Sequence, residues 1–209
     1  MKRVFYLLMV ILLFSVALNA ASDTNFTFSI HGTYLTIAND DFKTEYGGKK
    51  LYPEGRITAN ILGNFYLWGS YGFLPVRSTW TEWSNKKYVE PDIAGKRTLD
   101  KHIISFGAGY FAGYIEESHF GIRAEAGICG IYHTINTTYT KIETKAVVGT
   151  SQSKQSGYGF RGSLGITYGL YKKLFSEVSL GYIYAADSIN SVRVNMGGLK
   201  VALGLGVGI

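Results

Sequence analysis

Gly197-Gly198-Leu199-Lys200-Val201-Ala202-Leu203-Gly204-Leu205-Gly206-Val207-Gly208-Ile209 closes the sequence. In an extended chain successive side chains point to opposite faces. Leu199, Val201, Leu203, Leu205, Val207 and Ile209 therefore share one side, and Gly198, Lys200, Ala202, Gly204, Gly206 and Gly208 share the other. Alternate glycine makes a poor helix and a weak soluble strand, because it adds backbone entropy and brings nothing to a core. It suits a strand of a narrow closed barrel, whose outer face meets lipid and whose crowded interior admits small residues.

The amino terminus argues for export independently. Lys2 and Arg3 precede an apolar run from Val4 to Leu18 broken only by Ser15, and Asn19-Ala20-Ala21-Ser22 offers small residues for a peptidase. A run of about fifteen apolar residues is shorter than the roughly 20 a spanning helix needs. This is the pattern of a cleaved secretory signal. We expect residues 1–20 to be the signal peptide and 21–209 to form one barrel domain. About 188 residues then remain, with no later run long and apolar enough for a helical span. Eight strands of 9–11 residues fit that length with room for loops; ten is the fallback, and sixteen would leave almost nothing for connections. The fold class expected is all-β: an eight-stranded antiparallel up-and-down transmembrane β-barrel.

Alternation recurs along the chain. Strand one is read over Asn25–Ile37, with Phe28, Ile30 and Tyr34 outward; strand two runs from Arg56 to Leu62, and strand three from Phe65 to about Val76 with Trp80 as its alternative end. On strand three the two parities compete, Phe65, Leu67, Tyr71 and Phe73 against Tyr66, Trp68 and Leu74, and Pro75 suggests a bulge. Strand four carries Ile104, Phe106, Ala108 and Tyr110 outward, strand five Phe120 to Tyr132, strand six Tyr158 to Tyr168, and strand seven Val178 to Tyr184. Polar stretches at Ala38–Gly55, Glu82–Asp100, His133–Gly157 and Asp187–Met196 read as long exterior loops, alternating with short turns. Outward aromatics bracket strands five and six where two interfacial girdles would lie.

Charge supplies a check. Arg56, Lys101, Arg123, Glu125, Arg161, Glu177 and Lys200 all fall on the inward parity, and a lipid-facing Arg or Lys at mid-depth would cost about 2–4 kcal/mol. Buried charges of opposite sign must pair, so Arg123, Glu125, Arg161 and Glu177 are expected to form a lumen ion-pair network. It would either plug a polar lumen or, on exchange of partners, gate a narrow path for ions or small solutes.

The secretory leader, Asp41-Phe42-Lys43-Thr44-Glu45-Tyr46-Gly47, Tyr66-Leu67-Trp68-Gly69-Ser70-Tyr71 and the glycine-alternating carboxyl terminus resemble the small bacterial outer-membrane β-barrel domain proteins, built like the eight-stranded OmpA and OmpX barrels. The resemblance implies a monomer in the outer membrane, surrounded by lipid and lipopolysaccharide and inserted by the barrel assembly machinery. That machinery usually reads a terminal aromatic residue, where this chain has Ile209.

Other classes find less support. No nucleophile motif such as G-x-S-x-G is present, so no enzyme is expected. His31, His102, His119 and His133 lack metal-ligand spacing, and no cofactor is implied. Cys129 is the lone cysteine, read as a small strand residue. The formal charge is +6, or +4 after loss of Lys2 and Arg3. Such an excess suits an anionic surface, while nucleic acid is not indicated, there being no basic helix or zinc-finger spacing. A soluble barrel around an apolar ligand would require the opposite parity, with Leu and Val inside.

Overall fold

The computed structural model describes residues 26–38, 40, 49–82, 93–113, 119–189, 192–195 and 197–209. The expected signal peptide and the Asp41–Gly47 stretch lie outside them. Nine strands follow in order: β1 (Phe26–Ile37), β2 (Lys49–Leu62), β3 (Phe65–Glu82), β4 (Ile93–Ala112), β5 (Phe120–Lys141), β6 (Val147–Tyr171), β7 (Leu174–Ile189), β8 (Val192–Asn195) and β9 (Gly198–Gly208). Each strand pairs antiparallel with the next from β1 to β7, and β7 pairs with β9. The ring closes where β9 meets β1, from Thr27 opposite Gly208 to Ile37 opposite Gly198. Eight strands thus form the barrel, and β8 only prolongs the β7 hairpin, Ala186–Ile189 against Val192–Asn195.

The parities read from sequence hold over the barrel. Leu203 and Leu205 point outward, 64% and 58% exposed, while all seven strand charges face inward at 7% or less. Glycine alternation in β9 has a steric cause: a Cβ on Gly204 would stand 2.1 Å from the His31 ring, and one on Gly206 would stand 2.3 Å from the Phe175 ring. Both rings fill the space that glycine leaves. On β3 the competition resolves with Tyr66, Trp68 and Leu74 inward. Pro75 makes no bulge against β4; it pairs in register with Asp100, beyond the point where β2 leaves β3 at Gly72. On the side facing away from β4 there is no ladder for its missing N–H to break.

Two expectations are corrected. The stretches read as loops are strand over 49–55 of Ala38–Gly55, over 93–100 of Glu82–Asp100, and over 133–141 and 147–157 of His133–Gly157. β5 and β6 run to a short tip, closed where Lys141 N donates to Ala146 O at 2.9 Å. The nine steps from Tyr132 to Lys141 add about 30 Å along the strand beyond the belt at about 3.3 Å per residue. Thr134, Thr137, Thr138 and Thr140 favour extended backbone, but with water outside and the polar His133 and Thr137 buried inside, no apolar alternation announces it. The second correction concerns the interior, which is not polar throughout. Leu35, Ile37, Tyr52, Leu74, Val76, Leu99, Ile103, Cys129, Ile131, Ile183 and Ala185 form a buried apolar cluster at the exterior end. The apolar face changes sides there: Ile103 is inward and Ile104 outward, Leu74 inward and Phe73 outward, Ile131 inward and Tyr132 outward. Below the flip the outside must suit lipid. Above it the outside meets water, and the apolar residues turn in as they do in any soluble sheet.

Candidate functional site

Beneath the apolar cluster lies a charged layer built by six strands. Glu54 and Arg56 on β2 sit opposite His31 and Ser29 of β1, so their side chains enter the tube two residues apart. Arg123 and Glu125 enter from β5, Arg161 from β6, Glu177 from β7 and Lys200 from β9.

Two linked clusters result. In the first, Arg56 Nη1 donates to both oxygens of Glu125, at 3.0 and 3.2 Å, and its Nη2 donates to Glu177. Arg123 Nη1 lies 3.5 Å from Glu177 Oε2 and 4.0 Å from Glu125 Oε1. Its guanidinium sits over the rings of Tyr66, Phe111 and Phe175 at 5.1, 5.4 and 5.9 Å. Glu125 also accepts from the Tyr66 hydroxyl at 3.0 Å and the Ser163 hydroxyl at 2.9 Å. His31 Nε2 approaches Glu177 Oε1 at 3.7 Å. In the second cluster Glu54 stands between Arg161 Nη1 at 2.8 Å and Lys200 Nζ at 2.6 Å. Arg161 also donates to Ser70 Oγ at 2.8 Å and lies over the Trp68 ring at 5.0 Å.

Of the four residues expected to form one network, Arg123, Glu125 and Glu177 meet through Arg56, whereas Arg161 belongs to the neighbouring cluster. Glu54 is the residue that sequence reasoning missed. It sits in Pro53-Glu54-Gly55, which reads as turn chemistry, yet Tyr52, Glu54, Arg56 and Thr58 alternate inward without a break. The paired carboxylates and guanidiniums offset each other's desolvation, which a lone buried charge could not do. Four cations face three carboxylates in this layer, counting Arg56, Arg123, Arg161 and Lys200 against Glu54, Glu125 and Glu177.

The histidines divide. His31 is in the charged layer; His133 also faces inward, Nε2 lying 2.6 Å from Gln155 Oε1; His102 faces outward. His102 and His133 lie well inside β4 and β5. Cys129 is buried, its Sγ 3.8 Å from Tyr184 O.

No protein-family model matches the chain, and no curated protein matches it. Among solved structures it is similar to a major outer membrane protein from Thermus thermophilus, at 10% identity over 90% of this chain and 100% of that one, with a TM-score of 0.55. The fold is that of a bacterial eight-stranded outer-membrane barrel. Two further similarities are to Neisserial surface protein A, at 12% identity over 89% of this chain and 97% of that one with a TM-score of 0.49, and to the attachment invasion locus protein Ail of Yersinia pestis, at 12% over 89% and 97% with a TM-score of 0.46. Identities this low speak to the barrel and not to what its exterior contacts.

Proposed function

We propose that this chain is an integral outer-membrane protein that acts by surface interaction or structural support through its exterior, with a plugged lumen and no catalytic role. One observation carries the reading: the inward side chains of both the charged layer and the apolar cluster are buried, so their own atoms occupy the cross-section that a conducting path would need. The sheet prolonged beyond the belt by β3, β4, β5 and β6 is the part left to meet the surroundings. Reconstitution in planar bilayers tests the plug. A flat baseline across applied voltages is expected; steady unit currents from the unmodified chain would overturn it.

The alternative, a narrow gated channel, draws on a different observation. Glu54 has two cationic partners and the layer holds one more cation than carboxylate, so partners could exchange without stranding a carboxylate. On that reading Glu54→Gln changes the frequency of opening. A partner in lipopolysaccharide and a monomeric state belong to the same proposal. Supporting both is the outward band of Leu, Ile, Val and Phe, which suits acyl chains on every side. Sedimentation in detergent gives the mass.

A further inference from the structure

Beyond the flip the β5–β6 hairpin is rich in threonine, serine and glutamine, as a sheet in water should be. From His133 to Gly157 the exposed large apolar side chains are Ile142, Val147 and Val148, at 43%, 62% and 51%. All three stand at the tip, where every residue from Lys141 to Val148 is exposed. The turn is closed by Lys141 N donating to Ala146 O and Lys145 N donating to Lys141 O, both at 2.9 Å. Just past it Thr140 faces Val147 and Tyr139 faces Gly149, so Val148 is the extra residue of a bulge. A bulge breaks regular alternation, and both valines stay out of the packing below. Lys145 holds left-handed backbone, φ 54°. Glycine or asparagine takes that conformation at less cost, so a cation stands where a neutral residue would be easier. Lys141 and Lys145 flank the tip, with Glu143 the carboxylate between them.

The membrane that holds the barrel does not reach these side chains. Lys141 lies nine steps beyond Tyr132, which is about 30 Å along the strand and about 23 Å of height at a tilt of roughly 40°. The headgroup zone is about 5–8 Å deep on each side of a bilayer. A protein partner fits poorly as well. A stable interface takes about 20–30 residues a side, and a two-stranded turn exposed over Lys141–Val148 offers neither that area nor a groove. Fluid lipid has no such requirement, since it closes around a convex wedge from every side. The lysines complete the match: near an anionic bilayer they are attracted to the phosphates while the aliphatic side chains beside them enter the acyl boundary.

We propose that the β5–β6 tip inserts into the outer leaflet of a second, apposed bilayer that carries anionic lipid, with Ile142, Val147 and Val148 entering the acyl region and Lys141 and Lys145 meeting the phosphates. One tip holds weakly and reversibly, as a single short anchor does. Many barrels in one outer membrane act together, so the cell surface adheres where one molecule does not. The inference rests on the surface-interaction reading above and names the partner as a lipid.

The test uses the whole refolded chain in phosphatidylcholine nanodiscs, with an environment-sensitive dye on Thr144→Cys and with Cys129→Ala to leave one reactive sulfur. A heat-dependent gel shift is scored first; its absence would count against the barrel reading itself, before any vesicle is added. The vesicles then titrated in are phosphatidylcholine alone, or phosphatidylcholine mixed with phosphatidylserine. With the mixed vesicles the dye emission is expected to shift to the blue and to be quenched by spin-labelled acyl chains carried in them. Ile142→Thr, Val147→Thr and Val148→Thr together keep the β-branch and should weaken binding about a hundredfold, at about fivefold for burying the exposed half of each side chain. Lys141→Gln with Lys145→Gln should weaken it about thirtyfold on the mixed vesicles and leave pure phosphatidylcholine unaffected. Every variant carries its own gel shift, and Val147→Thr alone, expected to lose about fivefold, stands in if the triple change prevents refolding. Unaltered emission, a blue shift without quenching by the acyl-chain label, or binding indifferent to the valines or to the anionic lipid would each overturn the proposal. A shift that grows with protein concentration and needs no vesicles would overturn it too, and would assign the tip to a second copy of the chain.

Discussion

Arg161 Nη1 lies 2.8 Å from Glu54 Oε1, joining β6 to β2 across the width of the barrel. The two strands are not neighbours in the ring, so the pair is a strut through the interior as well as a neutralisation of charge.

Removing one end of that strut strands the other. Glu54→Ala leaves Arg161 and Lys200 buried without their carboxylate, and a loss of about 3–5 kcal/mol is expected. Urea unfolding of the refolded barrel, followed by tryptophan fluorescence, measures it. Glu54→Leu combined with Arg161→Met should lose less than the two single changes added together.

Glycine at two inner positions of β9 gives contrasting outcomes. Gly204→Ala pushes a methyl into the His31 ring, and overpacking should cost about 1–3 kcal/mol. Gly208→Ala meets nothing closer than Lys173 Cβ at 3.7 Å, and its unfolding midpoint should stay that of the parent.

The outward parity predicts a depth-dependent cost. Leu203→Arg presents a charge to the middle of the apolar band and should lose about 2–4 kcal/mol in lipid vesicles. Leu62→Arg, at the exposed end of β2 beside the Gly63 turn, should lose at most about 1 kcal/mol.

If the lumen is plugged as proposed, two layers close it by different physics, so opening one should not suffice. Glu54→Gln disturbs only the charged layer, and the apolar cluster above it disfavours a water column. Bilayer conductance should remain at baseline until Leu99→Ser and Ile131→Ser are added. Currents from Glu54→Gln alone would instead favour the gated channel.

The projecting hairpin should be dispensable for the barrel. β6 pairs with β7 only from Tyr158 onward, so Val147–Gly157 contributes to β5 alone. Replacing residues 136–152 by a two-residue turn joins Ile135 to its partner Ser153 and should leave the heat-dependent gel shift intact.

Most of the barrel was legible because lipid imposes a strict rule on one face. Ile104, Phe106, Ala108 and Tyr110 could not all face fatty acyl tails unless Ser105, Gly107 and Gly109 faced in. The rule lapses where the strands leave the membrane. Phe73-Leu74, Ile103-Ile104 and Ile131-Tyr132 are adjacent apolar pairs that spoil alternation locally, and each is the point where the apolar side reverses. Of the rival residues on β3, Leu74 belongs to that reversal, whereas Tyr66 and Trp68 face in below it, under the guanidiniums of Arg123 and Arg161. Glu54 was hidden differently: Pro53 and Gly55 signal a turn in water, but Pro53 faces outward on a strand where Tyr52 and Glu54 face in. Which cation each carboxylate chooses depends on how strands opposite one another in the ring align, and spacing along a single strand holds no information on that.

The ring of Phe175 and its neighbour Phe111 below, and the aliphatic side chains above, enclose the guanidiniums and carboxylates between two water-poor ends. With the lumen plugged as proposed, dissolved ions have no route to that compartment, so the attraction within it is not weakened by the medium as it would be on a surface. The molecule should hold together equally well in fresh water and in brine.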